Sequence, residues 1–154
     1  MFAVLSDPAI YEYENAPPPS VQWLRQRYAK LESRRSADGR EQWLNWVIRL
    51  PASRLIGYVQ ATLYPDGRAA IAYELSSRYW GRGFAREAVE AMIGELVENY
   101  GTNTLFAVFK AKNRRSLRLL ERMGFKRAAP GNGIQVEPDE LVMRRNAGTG
   151  WLGR

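Results

Sequence analysis

The chain has 154 residues, 45% of them hydrophobic, and a formal charge of +7, a length that suits one domain with one core. It contains no cysteine and no histidine, which excludes disulfides, thiol nucleophiles, Cys- or His-based metal sites and the Ser-His-Asp triad. Acid–base chemistry therefore falls to carboxylates, Tyr, Ser, Lys, water or the termini, and the positive charge suits an anionic ligand, RNA, the ribosome or plain solubility.

Residues 1–8 lack the basic start and apolar run of a signal peptide. No stretch is long enough to span a membrane, so the cytoplasm is the expected location. Phe2, Val4 and Leu5 suggest one helical turn, ended by Pro8, and Tyr11 and Tyr13 fall in an extended segment. Pro17, Pro18 and Pro19 form a stiff stretch that cannot continue a helix. Ser20 then caps a helix carrying Val21, Leu24, Tyr28 and Leu31 at helical spacing and ending near Arg34. A loop follows from Ser36 to Arg40.

From Gln42 to Leu50 the residues alternate, with Leu44, Trp46, Ile48 and Leu50 on one face, so this is a strand. A turn over 51–53 leads to a second strand, Leu55 to Tyr64. Pro65, Asp66 and Gly67 signal a tight turn before a third strand, Ala69 to Ser76. These three strands make an antiparallel meander. The third runs into Arg78-Tyr79-Trp80-Gly81-Arg82-Gly83-Phe84-Ala85, a glycine loop opening the clearest helix in the chain. Ala85, Ala88, Val89, Met92, Ile93, Leu96, Val97 and Tyr100 recur at i, i+3, i+4, i+7, and Gly101 stops the helix.

Leu105 to Phe109 is a short apolar strand. Strand, helix and strand at this spacing form a crossover, so the two strands run parallel. Asn113 caps a last helix with Leu117, Leu120 and Met123 on its apolar side, ended by Gly124. Strands follow at Phe125 to Ala128 and Glu140 to Arg144, joined by a loop at Pro130 to Gly133, and residues 146–154 are expected to be a loose tail.

A glycine loop feeding a helix N-terminus and flanked by Arg78, Arg82 and Arg86 suits phosphate or pyrophosphate. A P-loop would need Lys-Ser or Lys-Thr after the glycines. A dinucleotide fingerprint would need glycine or alanine at Arg86 and an acid ending the next strand, which ends Phe109-Lys110. What is present is R-x-x-G-x-G, Arg78 to Gly83. A second pattern, N-x-x-S-x-x-L-x-x-x-x-G-F, runs from Asn113 to Phe125, one helix and one strand later.

These two motifs, in this order, resemble those of the GCN5-related N-acetyltransferases, the GNAT superfamily. The resemblance covers roughly residues 20–145. The Tyr79-Trp80-Gly81 run and Ser116 look most like its RimJ/RimL-like branch. It implies an α/β fold, a mixed sheet splayed between the third and fourth strands, with acetyl-CoA as co-substrate in the gap. By resemblance, main-chain groups around Leu75 pair with the pantetheine arm. Arg78, Gly81, Arg82, Gly83, Phe84 and Ala85 hold the pyrophosphate, and Asn113 and Ser116 face the arm near the thioester. Lys110, Lys112, Arg114 and Arg115 add a second basic cluster, read either as phosphate ligands or as a solvated or RNA-contacting turn.

The sequence departs from the family at two places. Where many members carry a tyrosine near the thioester, this chain has Leu120; resemblance to the RimL-like branch implies Ser116 as the acid for the leaving thiolate, with a plain helix-face or capping serine as the alternative. Members also usually open with a strand before the first helix. Here Phe2 lies within that helix, so the strand is absent, the start is assigned late, or another segment fills the edge.

The resulting expectation is direct attack of an amine on the thioester in a ternary complex, with Glu74 as base and a main-chain N–H by Leu75 polarising the carbonyl. A buried carboxylate at Glu74 would have a raised pKa suited to that role; a salt-bridged strand glutamate is the plainer alternative. Glu137 and Asp139 are weaker options. Tyr11, Tyr13, Trp23, Tyr28, Trp43 and Trp46 are read as core and sheet-face residues in preference to an aromatic acceptor site. The acceptor class stays open between protein N-termini, small amines and aminoacyl-tRNA. Two other classes also stay open: a basic RNA- or ribosome-binding module, and a CoA-sensing domain without catalysis. An exposed sheet edge would allow a homodimer.

Overall fold

The computed structural model describes residues 1–13, 15–131 and 133–148. The chain opens with α1 (Phe2–Leu5) and a 3-10 turn at Pro8–Tyr11. Asp7 caps that turn, its Oδ1 accepting from Ala9 N at 3.1 Å. Helix α2 (Val21–Leu31) is capped by Ser20, whose Oγ accepts from Trp23 N at 3.0 Å. Strands β1 (Gln42–Leu50), β2 (Arg54–Leu63) and β3 (Arg68–Leu75) follow, then α3 (Phe84–Tyr100), β4 (Thr104–Lys110), α4 (Arg114–Arg122), β5 (Lys126–Arg127) and β6 (Glu140–Asn146).

The six strands form one sheet in the order β1-β2-β3-β4-β6-β5. Every neighbouring pair is antiparallel except β3 and β4. That parallel pair is joined by α3 and holds together only at Arg68–Thr104, Ala69–Leu105 and Ala70–Phe106. Beyond Ala70 and Phe106 the strands part, β3 continuing to Leu75 and β4 to Lys110. The mixed, splayed sheet expected from the sequence is thus present.

One face of the sheet, with Leu44, Val59, Ala61, Ala69, Ile71, Leu105, Ala107, Phe109 and Met143, packs with Val89, Ile93 and Leu96 of α3 and Leu117 and Leu120 of α4 into the core. The stripe on α3 and the alternation in β1 are the sequence patterns that build it. No helix of the described residues is long and apolar enough to cross a membrane.

Several boundaries differ from expectation. Helix α2 stops at Leu31, because Arg34 takes a left-handed conformation (φ 59°) and its carbonyl turns to accept from Trp43 N. Tyr11 ends a 3-10 turn and is not extended: Pro8 opens the turn and the Tyr11 hydroxyl donates to Leu5 O at 2.6 Å. Strand β5 is only Lys126–Arg127, since the register with β6 lasts two residues. Strand β6 runs on to Asn146, and Ala147 is buried with its N–H bonded to Asn103 O, so the tail begins later than expected. The rest of that tail, 149–154, lies outside the described residues, as does Asn132 of the loop after Pro130.

Candidate active site

The opening between β3 and β4 follows from strand alternation. Ser76 N donates to Ile56 O and Tyr64 N to Arg68 O, so the even-numbered residues of β3 bond to β2. Antiparallel pairing then turns the N–H and C=O of Ile71, Tyr73 and Leu75 the other way, toward β4. On the far wall, Ala111 N bonds to Asp139 O and Ala147 N to Asn103 O, so Leu105, Ala107 and Phe109 face β6. The backbone groups of Val108 point back into the gap. Beyond the Ala70–Phe106 pair, and apart from Leu75 O, the two strands thus turn main-chain groups toward each other with no partner strand between them, and an extended ligand bearing amides fits that opening.

At the upper end of β3, a 3-10 turn (Ser77–Tyr79) leads into the glycine loop. Gly81 and Gly83 have φ of 74° and 85°, conformations that favour glycine. A Cβ at either would meet nothing within 4 Å, so the space beside them is open. Gly83 is the N-cap of α3 and has no side chain to cap with, and Glu87 N makes the first bond back, to Gly83 O. The N–H groups of Phe84, Ala85 and Arg86 therefore lack acceptors within the helix. Arg78 and Arg82 are exposed beside them, with Arg82 stacked 5.7 Å from the Tyr79 ring centroid. Arg86 instead pairs with Glu90 at 2.9 Å along the helix.

In the sequence Trp80 stood out only as part of the branch-like run, without a role of its own. Its indole N–H donates to Leu75 O at 2.9 Å, and the Arg115 guanidinium lies 3.4 Å from its ring centroid. Trp80 thereby links the loop after β3 to the first turn of α4 across the opening. In the second basic cluster, Lys110 is held by Asp139 (2.9 Å) and Glu140 (3.7 Å). That contact, with the bond from Lys110 as the largest cause, keeps the exposed Asp139 carboxyl below its ordinary range and makes it a poor base. Glu137 is exposed too.

Asn113 caps α4, its Oδ1 accepting from Ser116 N at 3.1 Å. Asn113 and Ser116 both line the cleft, together with Ala107, Phe109 and Tyr73. Tyr73 enters from the opposite wall. Its hydroxyl is buried near Ser116 yet makes no hydrogen bond of acceptable geometry. Burial pushes its phenol up to about 12, partly offset by the Ser116 side chain. Sequence reading looked for a tyrosine on α4 and met Leu120; the alternation that puts Tyr73 on the core side of β3 was the available signal.

The cleft and the space on the other face of the sheet form one cavity of about 1190 Å³. Tyr11, Tyr13, Trp23, Tyr28, Trp43 and Trp46, read as core and sheet-face residues, all line it, and Trp46 also packs against the core. Pro17, Pro18 and Pro19, between the N-terminal turn and α2, also line the space. Trp23 and Tyr28 stay 42% and 36% exposed.

Glu74, half-buried, lies on this side, opposite Tyr58 in the β2–β3 register, and accepts a hydrogen bond from the Tyr58 hydroxyl. Burial first, then the Glu74 charge, pushes the Tyr58 phenol well above its ordinary value and that of Tyr11 up to about 12. Tyr28 is raised by burial as well. Tyrosines from the N-terminal turn, α2 and β2 thus surround one carboxylate.

Asp7 ties the two sides together. Its Oδ2 accepts from Ser77 N at 2.8 Å and Ser77 Oγ at 2.6 Å, fixing the N-terminal turn to the loop that precedes the glycines.

The profile of the family described as Acetyltransferase (GNAT) domain matches residues 1–126. An uncharacterized N-acetyltransferase, p20 of Bacillus licheniformis, is 26% identical over 153 residues, covering 93% of this chain and 85% of the relative. YoaA of Bacillus subtilis, also an uncharacterized N-acetyltransferase, is 25% identical over 130 residues, covering 82% and 72%. Among solved structures, spermidine N-acetyltransferase from Vibrio cholerae in complex with CoA and spermine superposes with a TM-score of 0.74 at 18% identity, covering 95% of this chain and 87% of that one. A GNAT-family acetyltransferase from Bacillus anthracis gives 0.70 at 16% identity, covering 96% and 87%. At these identities the structures share the fold.

Proposed function

The chain belongs to the GNAT acetyltransferase family, and from that premise we propose that it moves an acetyl group from acetyl-CoA to a primary amine by direct attack in a ternary complex. The observation that carries this is the parting of β3 from β4 after three residue pairs, which leaves main-chain groups on both walls for the amides of the pantetheine arm. Main chain around Leu75 takes the arm. Arg78, Gly81, Arg82, Gly83, Phe84 and Ala85 take the pyrophosphate at the open start of α3, where dipole and free N–H groups favour an anion. Asn113 and Ser116 lie beside the thioester. The Tyr-Trp-Gly-Arg-Gly-Phe-Ala run supports placement in the RimJ/RimL-like branch.

The amine enters from the aromatic side of the sheet. Glu74, accepting from Tyr58, takes its proton; attack on the carbonyl forms the C–N bond and the C–S bond breaks. The products are the acetamide and CoA, with one proton released to solvent for each ammonium consumed. The rings of Trp23, Tyr28 and Tyr58 around a carboxylate favour a small ammonium on a flat apolar body over an acidic peptide. A second reading, an RNA contact, is favoured by a hollow lined by Arg122, Lys126, Arg127, Arg144 and Arg145 beside β5 and β6. Steeply salt-dependent RNA binding without thiol release from acetyl-CoA would select it.

Calorimetric titration with acetyl-CoA, alongside an Arg82→Glu variant, tests the principal reading. Arg82 is exposed and stacked only on Tyr79, so charge reversal there adds no backbone strain. Micromolar binding by wild type, weakened at least tenfold in a variant that melts normally, is expected. Absence of binding to wild type would end the acetyl-CoA reading.

A further inference from the structure

Helix α2 turns one face to the cavity. Leu24, Arg27, Tyr28 and Leu31 line it at i, i+3, i+4 and i+7, the spacing of an inward stripe. Arg27 is the charge in that stripe, where a helix built only for packing would carry an apolar side chain. Trp23, one turn earlier, has the Arg27 guanidinium 5.9 Å from its ring centroid. Arg27 forms no ion pair among the described residues. Arg34, the other arginine along the cavity, donates to the Tyr100 hydroxyl at 3.1 Å. On the sheet side, Glu74 accepts from Tyr58. After burial, which acts most on both, the phenols of Tyr28 and Tyr58 are pushed up by the Glu74 carboxylate and down by the Arg27 guanidinium. One cation and one carboxylate thus bear on the same two hydroxyls, along one ring-lined space, and do not pair with each other.

We infer that the acceptor is a zwitterion, an α-amino acid with a flat apolar side chain, whose amine goes to Glu74 and whose carboxylate goes to Arg27. This rests on the acetyl-transfer reading above, whose acceptor it narrows. A polyamine would satisfy Glu74 but bring further positive charge to Arg27, which repels it. A peptide N-terminus has an amide where the carboxylate is wanted. An amino acid carries both charges within a few bonds, and its side chain meets the rings of Trp23 and Tyr28. A planar guanidinium takes a carboxylate through two parallel N–H donors. That fixes the α-carbon and aims the amine. The amine nitrogen bonds to the carbonyl carbon as the C–S bond breaks. The products are the N-acetyl amino acid and CoA, with one proton passed through Glu74 to solvent for each ammonium consumed. Acetylation removes the ammonium, so the product keeps its carboxylate alone and loses its attraction to Glu74, which favours release.

The test follows thiol release from acetyl-CoA with L-phenylalanine and with 2-phenylethylamine, which differ by the carboxylate alone. It compares the full wild-type chain with Arg27→Met and Arg27→Lys. Arg27 is exposed, so both variants should melt with wild type. Wild type should prefer phenylalanine in kcat/KM. That preference should fall about tenfold in Arg27→Met, chiefly through the KM for phenylalanine, and return in part with Arg27→Lys. Taking the ratio of the two acceptors within each protein cancels amine reactivity and any general damage to the fold. A wild type that uses phenylethylamine as well as phenylalanine overturns the inference. So does a preference that Arg27→Met leaves unmoved, or a variant that melts early, which gives Arg27 a packing role. Calorimetry with acetyl-CoA separates this from the reading beneath it. If wild type does not bind acetyl-CoA, the acetyl-transfer reading fails and the amino acid falls with it. If wild type binds acetyl-CoA and neither acceptor releases thiol above a no-amine control, only the amino-acid assignment falls.

Discussion

Gly57→Ala probes how the opening is held. Gly57 lies opposite Leu75 in the β2–β3 register. A methyl group there would overlap the Glu74 carbonyl oxygen and stand 2.9 Å from Leu75 Cα and 3.1 Å from the Glu74 carbonyl carbon. All three are backbone atoms, so no side chain can swing aside. Relief requires the end of β3 to move away from β2, into the space meant for a ligand. Overpacking of this kind costs about 1–3 kcal/mol, against about 0.4–1 kcal/mol regained from a stiffer unfolded chain. A net loss of about 1–2 kcal/mol lowers the melting temperature by about 2–8 °C in a chain of this size. Acetyl-CoA affinity should fall by roughly tenfold as Leu75 shifts. Thermal melting and calorimetry on the same preparation read both effects. An alanine variant that melts with wild type and binds acetyl-CoA equally well would refute the steric argument. Gly83→Ala gives the contrast: nothing lies within 4 Å, but φ is 85°, so it should lose about 1–2 kcal/mol from conformation alone.

Glu74→Gln keeps an acceptor for Tyr58 and so should fold normally, while turnover falls about 10²- to 10⁴-fold; full turnover from pH 6 to 9 would remove Glu74 as base. The Asp7 carboxyl is held below its ordinary 3.8, chiefly by the Ser77 hydroxyl. Its contribution to stability is therefore fully present above about pH 4 and is lost as pH falls through the lowered value. Asp7→Ala should forfeit the cap and the loop contacts together, about 1–2 kcal/mol, and flatten the acid limb of a stability–pH curve measured by urea melts. Trp80→Phe keeps a ring for Arg115 but frees Leu75 O, and should alter acetyl-CoA affinity with little change in melting; an unchanged affinity would detach Trp80 from the cofactor side.

Regular elements were legible because their signals are local. The stripe on α3, the alternation in β1 and the caps at Ser20 and Asn113 are set by residues within a few positions of each other, and the structure carries them all. The parallel β3–β4 pair followed from handedness and spacing. The aromatic cleft was raised from the sequence but not decided, because nothing local distinguishes a ring against a core from a ring facing an open space. The contacts of Trp80 and Tyr73 were not foreseen, for a related reason. They depend on what stands across the opening, Arg115 in one case and Ser116 in the other, over 30 residues away in sequence. Glu74 was found because strand alternation alone separates it from Tyr73 and Leu75; what singles it out, the ring of tyrosines, came only with the structure.

The short β3–β4 pairing has a mechanical side. In most sheets the slowest-exchanging amides belong to the central strands, and unpaired edges lie at the rim, where they invite other chains. Here the sheet is two antiparallel rafts, β1-β2-β3 and β4-β6-β5, stitched by three residue pairs. The amides of Tyr73, Leu75 and Val108, midway across the molecule, should exchange with deuterium like those of a frayed border. A strand-like guest that bonded both rafts would turn that border into interior, slowing exchange on both sides at once and joining two mechanical units into one.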